Sequence, residues 1–237
     1  VRRHRSSLSQ FFGWCFRNGL IGQTPVDDTV GAVPVTPAVV NPFSADELEA
    51  AWVEWSEYSP VLADVMLVLA RTGLRWSEAR ALSVADARPD QLRVTRSSSE
   101  GGDVRRLPAS RVRVVPVVPR IRPIVHGLLT GRDPDELLLT TSFGSQLHRT
   151  AVLRRLNWSQ TGRGRRLHDL RHSFASMLVS GGRSLYEVQQ ILGHSDPKVT
   201  MRYAHLSARA LQDAANAASV IVRKPVVVAA EPEVKAA

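Results

Sequence analysis

Apolar residues recur at three- and four-residue spacing along most of this 237-residue chain and switch to alternation in a single stretch. Residues 6–21 read as one amphipathic helix carrying Leu8, Phe11, Phe12, Cys15 and Phe16 on a face, ended by Gly22 and Pro25. Pro25, Pro34, Pro37 and Pro42 then punctuate short apolar stretches, the pattern of an extended linker. Helical periodicity returns abruptly. Ser44 with Glu47 three residues on is a capping-box signature, and Phe43 before it is placed to act as a staple; the helix should run to about Glu57. Ser59-Pro60 opens the next helix, which Gly73 should close. A short helix is expected over Ser77–Leu82.

Alternation marks Gln91–Ser97 and Arg111–Val118 as a hairpin with Gly101-Gly102 in its long turn. Helical patterns follow near 120–129, 147–158, 167–180, 184–192, 197–204 and 206–219. From Ile221 the chain is rich in Pro, Val, Ala and Glu and reads as a disordered tail. The expected fold class is mainly α with a small antiparallel sheet. Its boundaries are a helical segment over 1–24, a linker over 25–43, a main domain over 44–219 and a tail over 220–237.

Charge sharpens this picture. The chain carries a net charge of +9, and its only lysines are Lys198, Lys224 and Lys235, so nearly all its basic groups are arginine. The guanidinium fork grips phosphate in a bidentate way that an ammonium cannot reproduce, which points to a nucleic-acid partner. The arginine bias also fits a high-GC genome. A single cysteine, Cys15, excludes an internal disulfide or a cysteine-rich zinc site and is expected to be a buried thiol. The longest strongly apolar run, Val61–Ala70, contains Asp64 and is too short to span a bilayer. No secretory signal is read, and a cytoplasmic protein is expected.

The candidate chemistry lies in four places: Arg75 with Glu78, His168 with Arg171, His194, and Tyr203. Two arginines can neutralise phosphoryl oxygens. Two imidazoles can hydrogen-bond those oxygens or move protons, and a phenol oxygen can attack phosphorus. That set suffices to break a phosphodiester without metal. His168 and Arg171, three apart on a helix, share a face, whereas His172 lies nearer the apolar stripe of Leu170, Phe174 and Leu178 and is assigned a supporting or packing role. Arg163, Arg165 and Arg166 form a basic loop suited to DNA phosphates, as do Arg105, Arg106 and Arg111 of the hairpin. The histidines lack partner carboxylates or cysteines at ligand spacing, so no metal is expected.

The segments Ala70–Leu82, His168-Asp-Leu-Arg171-His172, Leu192-Gly-His194 and Thr200-Met-Arg-Tyr203-Ala-His205 resemble the tyrosine recombinases, or phage integrases. The resemblance covers residues 44–219. His194 follows Arg171 by 23 residues and Tyr203 follows His194 by 9. The resemblance implies that Arg75 and Arg171 clamp the scissile phosphate, that His168 and His194 assist, with His168 taking the proton of Tyr203, and that Glu78 supports Arg75. Tyr203 would form a 3′-phosphotyrosyl link and free a 5′-hydroxyl, with no cofactor and no ATP. Tyr58 and Tyr186 do not follow a Leu-Gly-His box and are poorer nucleophiles.

By the same resemblance the partners are duplex DNA attachment sites and further copies of the chain, a homotetramer on paired sites with a dimer per site, working through a Holliday junction. The setting would be an actinobacterial phage or prophage in its host's cytoplasm. Residues 1–24 resemble the last helix of a core-DNA-binding domain, either as a minimal clamp or with an upstream portion missing, and an arm-binding domain has no room. Similar enzymes carry a lysine in the hairpin turn that protonates the leaving oxygen. This hairpin has none, and depending on register Ala109 or Leu107 stands in its place. The absence favours one alternative, a cleavage-weak or inactive DNA-binding relative; a type IB topoisomerase, which shares the chemistry, is a further one. The terminal Ala-Ala resembles a bacterial proteolysis tag, which would make a host protease a further partner.

Overall fold

The computed structural model describes residues 2–26 and 40–206. The 206–219 helix beyond Leu206, the tail and the centre of the linker lie outside the described residues. The chain divides into two compact units, Val1–Val39 and Val40–Ala237.

The first unit is one helix, α1 (Arg2–Arg17). It ends earlier than its apolar pattern suggests because Gly19 takes the left-handed conformation (φ +68°) and Leu20 N–H returns to the Cys15 carbonyl at 2.9 Å. Cys15 is buried, as expected, but Leu8, Phe11, Trp14 and Phe16 are about half exposed.

The second unit starts where the caps predict. In α2 (Ala45–Tyr58), Ser44 Oγ accepts from Glu47 N–H at 3.1 Å and Glu47 Oε2 accepts from Ser44 N–H at 2.8 Å. In α3 (Pro60–Thr72), Ser59 is the N-cap and Gly73 the left-handed C-cap (φ +64°). This helix is buried almost all round, from Leu62 to Thr72, because α2 and α8 (Asp169–Ser180) flank it. Each fully buried Leu, Val or Met there contributes roughly 1.5–3 kcal/mol. Between them come α4 (Trp76–Ala79), shorter than expected, and the strands.

β1 (Ala87–Arg88), β2 (Gln91–Val94) and β5 (Arg113–Pro116) form a three-stranded antiparallel sheet in the order β1-β2-β5, with Leu92 opposite Val115. The hairpin arms are not continuous. β3 (Arg96–Ser98) pairs with β4 (Val104–Arg106), and residues 107–112 bulge out of the return strand before β5 begins. After α5 (Arg122–Leu129) the pattern expected over 147–158 is split into α6 (Arg149–Arg155) and α7 (Trp158–Thr161) by Asn157, whose φ is +48°. α9 (Leu185–Leu192) is opened by a Ser184–Glu187 capping box and closed by Gly193 (φ +65°). α10 (Pro197–Thr200) runs into a single 3₁₀ turn, Met201–Tyr203.

One core cluster joins α2, α3, the sheet, α5 and α6. A smaller one holds Phe174, Ala175, Val179, Val188, Leu192 and Tyr203. Buried Arg80 fastens the hairpin to the body: Nε donates to the Leu147 carbonyl at 2.6 Å and Nη1 to the Ser98 carbonyl at 3.0 Å. Among the described residues no helix is long and apolar enough to cross a membrane.

Candidate active site

Two helix C-termini meet at the centre of the main unit, and their unpaired carbonyls organise the arginines. α3 ends at Gly73, where a Cβ would come within 2.6 Å of both Leu192 Cδ2 and Phe174 Cδ1, so only glycine lets the helix ends approach. Arg171, in the first turn of α8, donates through Nη1 to the Gly73 carbonyl and through Nη2 to the Leu192 carbonyl, the latter at 2.6 Å. Arg75 donates through Nη2 to the Gly193 carbonyl at 2.8 Å. Carbonyls that a helix leaves over, at the negative end of its dipole, are natural partners for a cation. Arg171 is buried, and that burial, with the Arg75 charge beside it, lowers its pKa to about 9, which leaves it charged at neutral pH.

Glu78 is the anion between them. Its Oε2 accepts from Arg75 N–H and its Oε1 from Arg75 Nη1, both at 2.8 Å. It also accepts a fork from Arg113, Nη1 to Oε1 at 2.9 Å and Nη2 to Oε2 at 2.7 Å. Burial alone would raise the Glu78 pKa, but the Arg113 fork and the Arg75 contacts hold it down to about 2. Arg113 was not among the residues that the sequence singled out. The available signal was alternation: on β5 it shares the parity of Val115, which faces the core.

The imidazoles sit on one side of this cluster. His168, just before α8, is exposed, and its ring meets that of His172 edge-on at 4.9 Å. Burial, then the Arg171 charge, lowers the pKa of His168. His172 is lowered to about 4 by burial and by His168, and His194 to about 3 by burial and by Arg171. All three are therefore neutral at neutral pH and able to accept a proton. His194 Nδ1 lies 2.8 Å from Thr200 Oγ1.

The Tyr203 phenol is packed inside the unit. It is only 2% exposed, lies in the cluster of Phe174, Val188 and Leu192, and its hydroxyl is hydrogen-bonded to His172 Nδ1, not to His168. Residues 168 and 172 lie one helical turn apart, and the Tyr203 hydroxyl meets His172, the more deeply buried of the two. Burial pushes the Tyr203 pKa up to about 12 while Arg171 pulls against it, so the phenol is neutral here. A cavity of about 160 Å³ opens beside Arg171, His168, Trp76 and Arg149, and Tyr203 does not line it.

The arginines assigned to DNA divide by environment. Arg105, Arg106 and Arg111 are exposed on the hairpin arm. Arg163 and Arg166 are also exposed, although Arg163 pairs with Glu54 at 3.2 Å and Arg166 with Asp169 at 2.8 Å. Arg165 corrects the expectation of a DNA contact, because it is buried. Its Nη2 donates to both Glu47 oxygens, at 2.9 and 2.8 Å, and to the Pro42 carbonyl at 3.2 Å, and its guanidinium lies 4.1 Å over the Phe43 ring. Arg165→Met should lower the stability of the unit by about 1–2 kcal/mol, since the half-exposed Glu47 can rehydrate, and leave DNA affinity unchanged. Chemical denaturation beside a mobility-shift titration checks both. A loss of affinity without loss of stability would restore the DNA-contact role.

The hairpin turn also differs from expectation. It spans Ser99–Asp103, while Leu107 packs against the core and Ala109 lies in the bulge. The ionisable residues of the turn are acids. Glu100 accepts from Trp76 Nε1 at 3.1 Å and from the Arg149 N–H. Burial raises its pKa, but those bonds outweigh it and keep the carboxylate ionised, which disqualifies it as a proton donor. Among the described residues no group of three or more His, Cys, Asp or Glu side chains could hold a metal ion.

A mainly helical unit with a small antiparallel sheet, two arginines seated on abutting helix ends and a tyrosine beneath them is the catalytic-domain fold of tyrosine recombinases. The Tn1549 transposon integrase in complex with a circular intermediate DNA has this fold, with a TM-score of 0.70 at 19% identity over 90% of this chain and 78% of that one. The family model described as the phage integrase family matches residues 45–209, and the chain belongs to that family of tyrosine-type site-specific recombinases. Tyrosine recombinase XerC of Chromohalobacter salexigens is 32% identical over 225 residues, 90% of this chain and 72% of XerC. The integrase of Escherichia phage 186 is 29% identical over 189 residues, and the chain spans 74% of its own length and half of that relative's.

Proposed function

We propose that this chain cleaves and rejoins duplex DNA at specific sites through a covalent tyrosyl intermediate, integrating or excising phage DNA. The observation that carries the proposal is the arginine pair: Arg75 and Arg171 are fixed on helix-end carbonyls in one cluster with three neutral imidazoles and Tyr203. Attack on a phosphodiester builds negative charge on the non-bridging oxygens. Cations fixed beforehand stabilise that state more than the ground state and cost no reorganisation. Arg171, Arg75 and His168 border the site for the phosphate. For the attack Tyr203 leaves His172 and brings its oxygen to phosphorus, passing its proton to a neutral imidazole, His168 or His172. The P–O5′ bond breaks as the Tyr203–P bond forms, and the imidazolium, directly or through water, returns the proton to the leaving 5′-oxygen; bond energy is conserved and ATP is unnecessary. A 5′-hydroxyl from another strand reverses the step and exchanges strands.

On this reading residues 44–219 form the catalytic domain and residues 1–24 belong to a DNA clamp. Four copies act on two paired attachment sites through a Holliday junction in the cytoplasm of a bacterial host. Exposed Arg105, Arg106, Arg111, Arg163 and Arg166 supply phosphate contacts.

The test is a nicked suicide duplex carrying the candidate core site, resolved on a denaturing gel. The expected result is a covalent protein–DNA band with a free 5′-hydroxyl on the released strand, detected by kinase labelling. A normal mobility shift with no covalent band would mark a DNA-binding relative without cleavage.

A further inference from the structure

We propose that Arg113 is a positioning residue for strand cleavage: it fixes Arg75 through Glu78 and fixes the Gly193-His194 turn by packing beneath it. The inference rests on the recombinase reading above and adds to it a residue that acts without touching DNA.

The geometry is that of a shared carboxylate. Each Glu78 oxygen takes one hydrogen bond from Arg75 and one from Arg113, four donors at 2.7 to 2.9 Å in all. Both Nη groups of Arg113 are spent on this fork, and its Nε donates to the Ile191 carbonyl at 3.0 Å. Its side chain is buried, and three of its five N–H groups are already taken by Glu78 and Ile191. Its aliphatic part lies against the turn that closes α9: a Cβ at Gly193 would fall 2.9 Å from Arg113 Cδ. Arg75 donates to the carbonyl of that same Gly193. Arg113 thus touches both supports of Arg75, the carboxylate and the turn, and ties them to β5.

Charge gives this a purpose. A lone Glu78 would form a closed pair with Arg75 and cancel the charge that a phosphate needs. With Arg113 as second partner the carboxylate is shared, and Arg75, Arg113 and Arg171 against Glu78 leave a surplus of two positive charges around the helix ends. The charged and titratable groups beside Glu78 are these three arginines, with His194 beyond the Gly193 turn. If Arg113 is removed, Glu78 stays buried with one partner, so it should take up a proton at a higher pH and release Arg75.

The experiment uses the full chain on the nicked suicide duplex and compares wild type, Arg113→Gln and Arg113→Lys. Single-turnover cleavage is measured across pH, with Kd from mobility shifts and Tm. For Arg113→Gln we expect cleavage to fall about 100-fold, the scale of losing one preorganised donor group, with Kd changed by less than about threefold. Wild type should already slow at acid pH as its imidazoles protonate; in Arg113→Gln that acid limb should steepen and extend upward between about pH 4 and 6, where a buried carboxylate with one partner titrates. Arg113→Lys, which keeps the charge and loses the fork, should restore part of the rate and move most of the acid limb back toward its wild-type position.

A rate loss that tracks Tm or Kd with no change in the pH profile, or no rate loss at all, overturns the proposal. If wild type itself does not cleave, the recombinase reading fails. Arg113 is then judged by ¹³C-carboxyl titration of Glu78, assigned with Glu78→Gln. In wild type Glu78 should stay ionised through about pH 4, and in Arg113→Gln it should titrate above that. An unchanged titration overturns the role of Arg113.

Discussion

Tyr203→Phe should abolish covalent capture of nicked duplex DNA, a loss of at least about 10⁴-fold, while costing the fold only about 1–2 kcal/mol. The two magnitudes differ because the proposed reaction gives the hydroxyl a second job unrelated to its place in the fold. As the proposed nucleophile it has no evident substitute: Tyr186 is exposed on α9, and Tyr58, at the end of α2, accepts from Asn157. As a structural group it makes one hydrogen bond, to His172, and the ring that stays behind still fills the space between Phe174, Val188 and Leu192. The stability cost is that of leaving one imidazole nitrogen unpaired. Denaturing gels and urea melts measure the two effects side by side. A covalent band surviving in the variant would remove Tyr203 from the chemistry altogether.

Arg171→Ala should be worse for the protein than its single position in the sequence suggests, with cleavage lost and stability lowered by about 2–5 kcal/mol. The guanidinium serves two buried carbonyls, Gly73 at the end of α3 and Leu192 at the end of α9. Each carbonyl left without a donor costs roughly 1–3 kcal/mol. A lysine has one ammonium centre for two acceptors on different helices, so Arg171→Lys should recover less than half of the loss. Urea melts of the three proteins decide this. If Arg171→Ala proves as stable as wild type to within about 0.5 kcal/mol, the helix ends are held by something other than this side chain.

Much of the architecture was legible because it is written in local chemistry. Ser44 with Glu47, Ser59 with Pro60, and Ser184 with Glu187 announce helix starts, and Gly73 and Gly193 announce ends that no other residue could make so tightly. What escaped depends on distant partners. Arg165 lies in a run of arginines and looked solvent-facing, but its partner, Glu47, is 118 residues away. The left-handed Asn157 breaks a helix that periodicity joined, and Gly19 stops α1 before the glycine and proline that seemed to end it. The catalytic candidates could be picked from their motifs. Which imidazole the phenol meets could not, since residues 168 and 172 share a face and only the packing of the 201–203 turn decides between them.

The place where the chain enters the main unit has a mechanical side. Phe43 N–H donates to Ser173 Oγ at 2.8 Å, and the Pro42 carbonyl is held by Arg165. Ser173 lies on α8, two residues from Arg171 and one from His172. Tension arriving along the chain from the N-terminal side is thus delivered to the helix that carries Arg171 and His172. A pull on residues 42 and 43 is therefore felt first at α8, the helix whose Arg171 holds the ends of α3 and α9 together.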